Sequence, residues 1–342
     1  MLTPEIPLIR YLVLLITTRC NLGCRYCYLP QDKRDGIDMT PEIMDRAVAI
    51  AASHGKRMHV QVSGGEPTLN REMVFKTVRQ IHTTAPNATV ALQTNATLID
   101  DELALFFRHN HVQIGVSIDG PPQVHERQRG GFGKTLAGIE CLEKHHVPWR
   151  ATAVVTEDSV GELWRLALLI SKYRTARGIG LDFLTLKESA SKNGISPPRA
   201  EAVREGIGRL LATIDKINRF STPPLVLREE RTVASGKGSG FFCHAAKGES
   251  MAVYPDGTVY PCSQLCGEKE WCAGSVTETI DHSRLRVNAP SLSGNKCGAC
   301  ELSGDCPGDC PARLVYNNES VSRNICALYH EITSQNKKET YV

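Results

Sequence analysis

The sequence predicts an α/β fold with a parallel sheet, followed by a smaller cysteine-rich region. Three observations carry this. Short apolar runs alternate with helical patterns roughly every 30 residues from Tyr11 to about Leu186. Glycines and polar residues collect where those runs end. Nine of the 13 cysteines lie after residue 240.

The first run, Tyr11-Leu12-Val13-Leu14-Leu15-Ile16-Thr17, is continuously apolar, the pattern of a strand buried on both faces. Thr40-Pro41-Glu42 opens a helix, with Thr40 as N-cap and Pro41 in the first turn, and Gly55 can end it. Five more strands follow at His59–Val62, Thr89–Thr94, Val112–Ser117, Arg150–Val155 and Leu181–Leu186. Helices near Asn70–Ala85, Asp100–Asn110, Lys134–His145 and Val160–Ala176 separate them. Six strands joined by helical crossovers imply a parallel sheet with helices outside. Lys187–Ala200 reads as a bridging loop. Glu201–Asn218 has helical apolar spacing at Val203, Ile207, Leu210, Leu211 and Ile214. Ser221–Gly240 is rich in proline, glycine and charge and marks a domain boundary, giving a first domain at 1–220 and a second at 221–342.

Composition narrows the function. The chain has 342 residues, 41% hydrophobic and 23% charged, and its 40 basic and 37 acidic residues balance to +3. That balance gives no sign of a nucleic-acid partner. No run of 18 apolar residues exists, so no membrane association is expected. Met1-Leu2-Thr3-Pro4-Glu5 lacks the basic and apolar regions of a signal peptide. Thirteen cysteines without an export signal argue for metal ligation in a reducing cytoplasm.

The first apolar run leads into Cys20-Asn21-Leu22-Gly23-Cys24-Arg25-Tyr26-Cys27, three thiols at spacing C-x3-C-x2-C. Three thiolates hold three irons of a [4Fe-4S] cube and leave the fourth open to a small molecule. The second run ends in Ser63-Gly64-Gly65-Glu66-Pro67. Its glycines permit close backbone approach, and its carboxylate can accept from an ammonium group. The third ends in Gln93-Thr94-Asn95, the fourth in Ser117-Ile118-Asp119-Gly120-Pro121, with Arg129 twelve residues after Ser117. Taken singly, each is also what a tight turn or a helix cap looks like.

Cys-Asn-Leu-x-Cys-x-Tyr-Cys after a strand, with Gly-Gly-Glu-Pro after the next, resembles the radical SAM superfamily. That resemblance implies a curved partial (β/α)6 barrel. It also implies a [4Fe-4S] cluster on Cys20, Cys24 and Cys27 whose open iron chelates S-adenosylmethionine. One electron then cleaves that cofactor to a 5′-deoxyadenosyl radical. The implied cofactor contacts are Gly64, Gly65 and Glu66 at its amino group, Asn95, Ser117 and Arg129 at ribose and carboxylate, and Tyr26 and Leu186 at adenine.

Past residue 240 the pattern is Cys243, Gly257, Cys262, then Cys297-x2-Cys300-x5-Cys306-x3-Cys310, then Cys326. Tyr254–Cys262 reads as a hairpin around an Asp-Gly turn. The pattern resembles the seven-cysteine SPASM domain of radical SAM enzymes that modify peptides and proteins; the competing reading is a zinc ribbon. The resemblance implies two auxiliary [4Fe-4S] clusters. The distal one would use Cys297, Cys300, Cys306 and Cys326, and the proximal one Cys243, Cys262 and Cys310. Glu249 stands where some relatives have a fourth proximal ligand, so that iron is either open or filled by Cys266 or Cys272. Cys141 is expected as a small core residue. Ser263 stands where sulfatase-maturing relatives have an aspartate, which argues against that substrate.

The expected activity is hydrogen abstraction from a peptide or protein side chain, giving a crosslink, thioether or oxidised residue. Sulfatase maturation or small-molecule radical chemistry is the alternative within the enzyme class, and an iron–sulfur electron carrier the alternative outside it. A flavodoxin or ferredoxin is the expected electron donor. With only about ten residues before the first strand, no N-terminal peptide-recognition domain is expected, so a leader peptide would bind elsewhere on the chain or through a separate protein.

Overall fold

The apolar runs form strands because they are short and a sheet covered by helices buries both of their faces. The structure is a computed structural model that describes residues 8–29, 36–187, 189–234, 242–288, 297, 299–303, 306–317 and 323–339. The chain start at Met1–Glu5 and the part of the expected boundary at 235–240 lie outside the described residues. The chain groups into two compact units, one of 1–21, 29–115 and 243–288, the other of 22–28, 116–242 and 289–342.

In the first unit, β1 (Tyr11–Leu15), β2 (His59–Ser63) and β3 (Thr89–Thr94) are parallel neighbours, with Tyr11 opposite His59 and His59 opposite Thr89. Helix α1 (Pro41–Ala52) starts as the sequence predicts, the Thr40 side chain accepting from the Ile43 amide. Asn70 and Asp100 cap α2 (Arg71–Thr84) and α3 (Asp101–His109) in the same way. On the other side of β1 lies β8 (Ser250–Val253), also parallel, followed by the antiparallel β9 (Val259–Tyr260). The turn between them is the expected one: Gly257 has φ +90°, and the Thr258 amide donates to Asp256.

The division between units falls within β4 (Gln113–Ser117). In the second unit, β5 (Trp149–Val155) pairs parallel with β6 (Ala176–Phe183), which pairs parallel with β7 (Val226–Leu227). Between β4 and β5 run α4 (Pro122–Gln128) and α5 (Phe132–Lys144), and α6 (Leu163–Ile170) precedes β6. The short α7 (Ser189–Lys192) and the 19-residue α8 (Ala200–Asn218) follow it. Helix α8 buries Val203, Ile207, Leu210, Leu211 and Ile214, the stripe read from the sequence.

Three expectations need correction. The sixth strand begins five residues earlier than predicted and ends at Phe183 rather than Leu186. Gly178 and Gly180 hid it: both depress strand propensity, yet a Cβ on Gly178 would lie 1.9 Å from the Val226 oxygen, so β7 requires that glycine. Cys141 is only partly buried, because the inward stripe of α5 is Thr135, Gly138, Ile139 and Leu142. The stretch where the domain boundary was expected is itself structured, holding β7 and the helix α9 (Arg228–Ala234). Its Glu229 is buried and accepts from the Leu181 amide at 3.0 Å.

Candidate cofactor and cluster sites

In the first unit the strand exits are tied together by backbone. The Gly65 amide donates to the Thr17 carbonyl and the Glu66 amide to the Arg19 carbonyl, both at 2.8 Å. A Cβ on Gly64 would lie 2.3 Å from the Thr17 oxygen, and one on Gly65 would lie 2.2 Å from that of Arg19. The two glycines therefore let the β2 exit lie against the segment that carries Cys20. The sequence reading gave them to a ligand; this intramolecular approach alone already demands them.

Glu66 is buried and engaged with its own surroundings. One carboxylate oxygen accepts from the Thr68 amide (3.1 Å), the Thr68 hydroxyl (2.5 Å) and the Thr94 hydroxyl (2.7 Å), and the other from the Asn95 amide (2.7 Å). Burial pushes its carboxyl up while these donors pull it down, and burial prevails. A carboxylate offers about four acceptor positions, so what room remains for an ammonium group is on the second oxygen. Asn95 donates to Asn21 at 2.9 Å and accepts from the Thr97 amide and hydroxyl. It thus braces the residue next to Cys20.

The second unit holds Cys24, Tyr26 and Cys27. The Cys27 amide donates to the Cys24 carbonyl, closing a tight turn between the two thiols. Arg25 anchors that turn by donating its amide to Gln128, while its carbonyl accepts from Asn193. Tyr26 is buried, and its hydroxyl donates to Asp119. Arg129 donates to the same Asp119 oxygen at 3.0 Å, and the Val154 amide donates to the other at 3.0 Å. The Arg129 guanidinium also lies over the Tyr26 ring at 5.3 Å, with Nη1 3.9 Å from Cys24 Sγ. Burial alone would lower the Arg129 pKa, but Asp119, Tyr26 and Cys24 outweigh it and hold the charge firmly. Burial pushes the Cys24 thiol up to about 11, with Arg129 acting against it. Asp119 was quoted at the strand end but given no role by the sequence reading. Its signal was a charged residue in the strand-exit run Ser117–Gly120.

Tyr26 packs with Leu184, Ala190 and Ile195, and Leu186 lies against that cluster. Leu184 and Leu186 stand beyond the end of β6, held by Asn317, which donates to the Leu184 carbonyl and accepts from the Leu186 amide. The two residues expected at adenine, Tyr26 and Leu186, are therefore brought to one apolar wall. Ser117 ends β4, half-buried.

Among the later cysteines, Cys243, Cys262, Cys266 and Cys272 fall in the first unit. Cys266 is buried, its Sγ directed at the Cys262 carbonyl, whereas Cys272 Sγ accepts from the Gly274 amide at 3.5 Å. The Glu249 carboxylate pairs with His244 at 3.0 Å and with Arg10 at 3.8 Å. Cys297, Cys300, Cys306, Cys310 and Cys326 fall in the second unit. Burial raises the Cys326 thiol, as do Cys306, Cys297 and Cys300, so the four expected distal ligands feel one another's charge. Backbone amides point at their sulfurs: Leu302 to Cys300 at 3.5 Å, Gly308 to Cys306 at 3.4 Å. Clustered thiols met by amide donors suit an iron–sulfur cluster, whose sulfurs carry negative charge.

Residues 14–170 match the Radical SAM superfamily. The serine-type anaerobic sulfatase-maturating enzyme of Klebsiella aerogenes is 23% identical over 92% of this chain and 82% of its own length. Among solved structures, native anSMEcpe with bound AdoMet and Cp18Cys peptide superposes with a TM-score of 0.75 at 20% identity, covering 96% of each chain. Streptococcus suis SuiB bound to its precursor peptide SuiA gives 0.68 at 15% identity, over 91% of this chain and 74% of that one. The fold is thus the partial α/β barrel that the resemblance implied. Over residues 14–170 the chain is thus similar to the radical SAM superfamily, and this likeness fits a [4Fe-4S] cluster and S-adenosylmethionine as its cofactors.

Proposed function

We propose that this enzyme is a maturase that removes a hydrogen atom from a side chain of a peptide or protein. The observation that carries the reading is the buried Tyr26–Asp119–Arg129 group beside Cys24, next to the apolar wall of Leu184 and Leu186. An electron carrier has no use for a nucleoside-sized wall and a fixed cation beside its cluster loop. In this reading Cys20, Cys24 and Cys27 hold the catalytic cluster, which with S-adenosylmethionine supplies the hydrogen-abstracting power. Tyr26 and Leu186 flank adenine, and Arg129, held by Asp119, faces the cofactor's carboxylate. In the same reading Gly64, Gly65 and Glu66 are contacts for the cofactor's amino group, and Asn95 and Ser117 for its ribose or carboxylate. The region after residue 221 acts as a SPASM domain. Its distal cluster lies on Cys297, Cys300, Cys306 and Cys326, and its proximal one on Cys243, Cys262 and Cys310. Peptides bound in two similar structures support a peptide substrate, and a flavodoxin or ferredoxin would supply electrons.

Sulfatase maturation is the second reading, favoured by the likeness to the Klebsiella enzyme. Against it, Ser263 opens the turn after Cys262, and a serine hydroxyl is a poor general base at neutral pH. The test is to incubate the anaerobically reconstituted enzyme with S-adenosylmethionine and a reductant. Peptides encoded beside its gene are added in parallel with a sulfatase-derived peptide. A mass change in the former supports the leading reading. Modification of the sulfatase peptide alone supports the second.

A further inference from the structure

Strand β6 ends at Phe183, and residues 184–187 beyond it are tied to the helix α10 (Pro311–Tyr316) and its C-cap, Asn317. The Arg313 guanidinium lies 5.3 Å from the Phe183 ring centroid, and the Lys187 ammonium 5.3 Å from that of Tyr316. Asn317 is buried. Its side-chain amide donates to the Leu184 carbonyl at 2.9 Å and accepts from the Leu186 amide at 2.8 Å. These are the two bonds that a residue of a parallel neighbouring strand would make on either side of Thr185. One side chain thus does the work of a strand where β6 has ended. An extended chain puts alternate residues on one face, and Leu184 and Leu186 are the pair that meets Tyr26. Asn317 is itself held firmly. Its backbone amide donates to the Arg313 carbonyl at 2.8 Å, and Arg313 makes a buried two-pronged pair with Asp309 at 2.9 and 2.6 Å.

We infer that Asn317 is a positioning residue for S-adenosylmethionine: it holds Leu184 and Leu186 as the wall against which the cofactor's adenine packs. The inference rests on the assignment of that wall to adenine. It goes further in giving the wall's shape to a residue 131 positions after Leu186, in the cysteine-rich region. The other polar groups of the wall are met locally. The Leu184 amide donates to the Val155 carbonyl at 3.3 Å, and the Leu186 carbonyl accepts from the Ser191 hydroxyl at 3.1 Å. Asn317→Ala therefore strips both bonds from the outer side of the wall. Asn317→Asp keeps the side chain's size but turns an acceptor toward the Leu184 carbonyl, which needs a donor.

The experiment is equilibrium binding of S-adenosylmethionine to the full, anaerobically reconstituted chain, for the wild type, Asn317→Ala and Asn317→Asp. 5′-Deoxyadenosine and methionine compete in separate runs, and iron is counted in each chain. The expected result is a Kd for S-adenosylmethionine raised about tenfold in both variants, as the loss of one or two net hydrogen bonds implies. Affinity for 5′-deoxyadenosine should fall by the same factor, while that for methionine and the iron content stay unchanged. Unchanged S-adenosylmethionine affinity in Asn317→Asp overturns the inference. Equal weakening of methionine and 5′-deoxyadenosine also overturns it, since the damage would then be general. So does loss of iron from Asn317→Asp, which would make the residue a support of the clusters. A wild type that binds neither S-adenosylmethionine nor 5′-deoxyadenosine removes the adenine assignment itself and this inference with it.

Discussion

Asp119 has no exposed surface and serves three donors: the Tyr26 hydroxyl, the Arg129 guanidinium and the Val154 amide. Removing one partner of a buried pair leaves the other charge without compensation and costs about 3 kcal/mol or more. Asp119→Asn keeps the shape and removes the charge, so urea unfolding of the metal-free chain should show a loss of that size. A loss under about 1 kcal/mol would mean that Arg129 does not depend on Asp119. His125, on α4, makes a second residue-scale case. It is buried, neither ring nitrogen has a hydrogen-bond partner among the described residues, and burial lowers its pKa from 6.5 to about 4. Its folded pKa lies below its unfolded one, so its contribution to stability is full above pH 6.5. That contribution is lost as pH falls from there toward 4, because the unfolded chain takes up the proton first. The predicted loss is up to about 3 kcal/mol, and His125→Phe, which fits beside Phe132, should flatten that part of the stability–pH curve. An unchanged slope would place the acid lability elsewhere. Asp119 escaped the sequence reading because a charged residue at a strand exit is usually a cap or a surface group; only the fold shows it at zero exposure.

At the scale of elements, the strands that sequence revealed are those whose apolar runs are unbroken. β1 to β5 fall within a residue or two of expectation because Leu12–Ile16, Val60, Val62, Leu92, Val116 and Ala153 are buried on period. β6 starts earlier than its pattern suggests because Gly178 answers to a neighbouring strand and Gly180 to the Arg228 side chain, long-range constraints that no local pattern records. The glycines after β2 were found, but for a different reason. Gly64 has φ +144° and no space for a Cβ against the Thr17 backbone. Gly64→Ala should therefore destabilise the metal-free chain by about 3 kcal/mol, from backbone strain plus forced separation of the β1 and β2 exits. Thermal unfolding checks it, and a midpoint within a degree or two of wild type would show that the turn yields at no cost.

For the whole molecule, cysteine spacing made the chemistry legible while the supporting groups stayed hidden. C-x3-C-x2-C and the seven later cysteines announce themselves at fixed intervals in the chain. Arg129, Asp119 and Asn317 act through the fold, across separations of 10 to 133 residues. Among the described residues no helix is long and apolar enough to cross a membrane, as the absence of an 18-residue apolar run had indicated. The central claim is that Cys20, Cys24 and Cys27 hold the cluster that cleaves S-adenosylmethionine. Its most direct test is 5′-deoxyadenosine release by the anaerobically reconstituted wild type and by Cys24→Ala, under the same reductant and with iron counted in both. The account predicts release by the wild type and background levels from Cys24→Ala, while iron on the later cysteines is retained. Release from Cys24→Ala at the wild-type rate would contradict it.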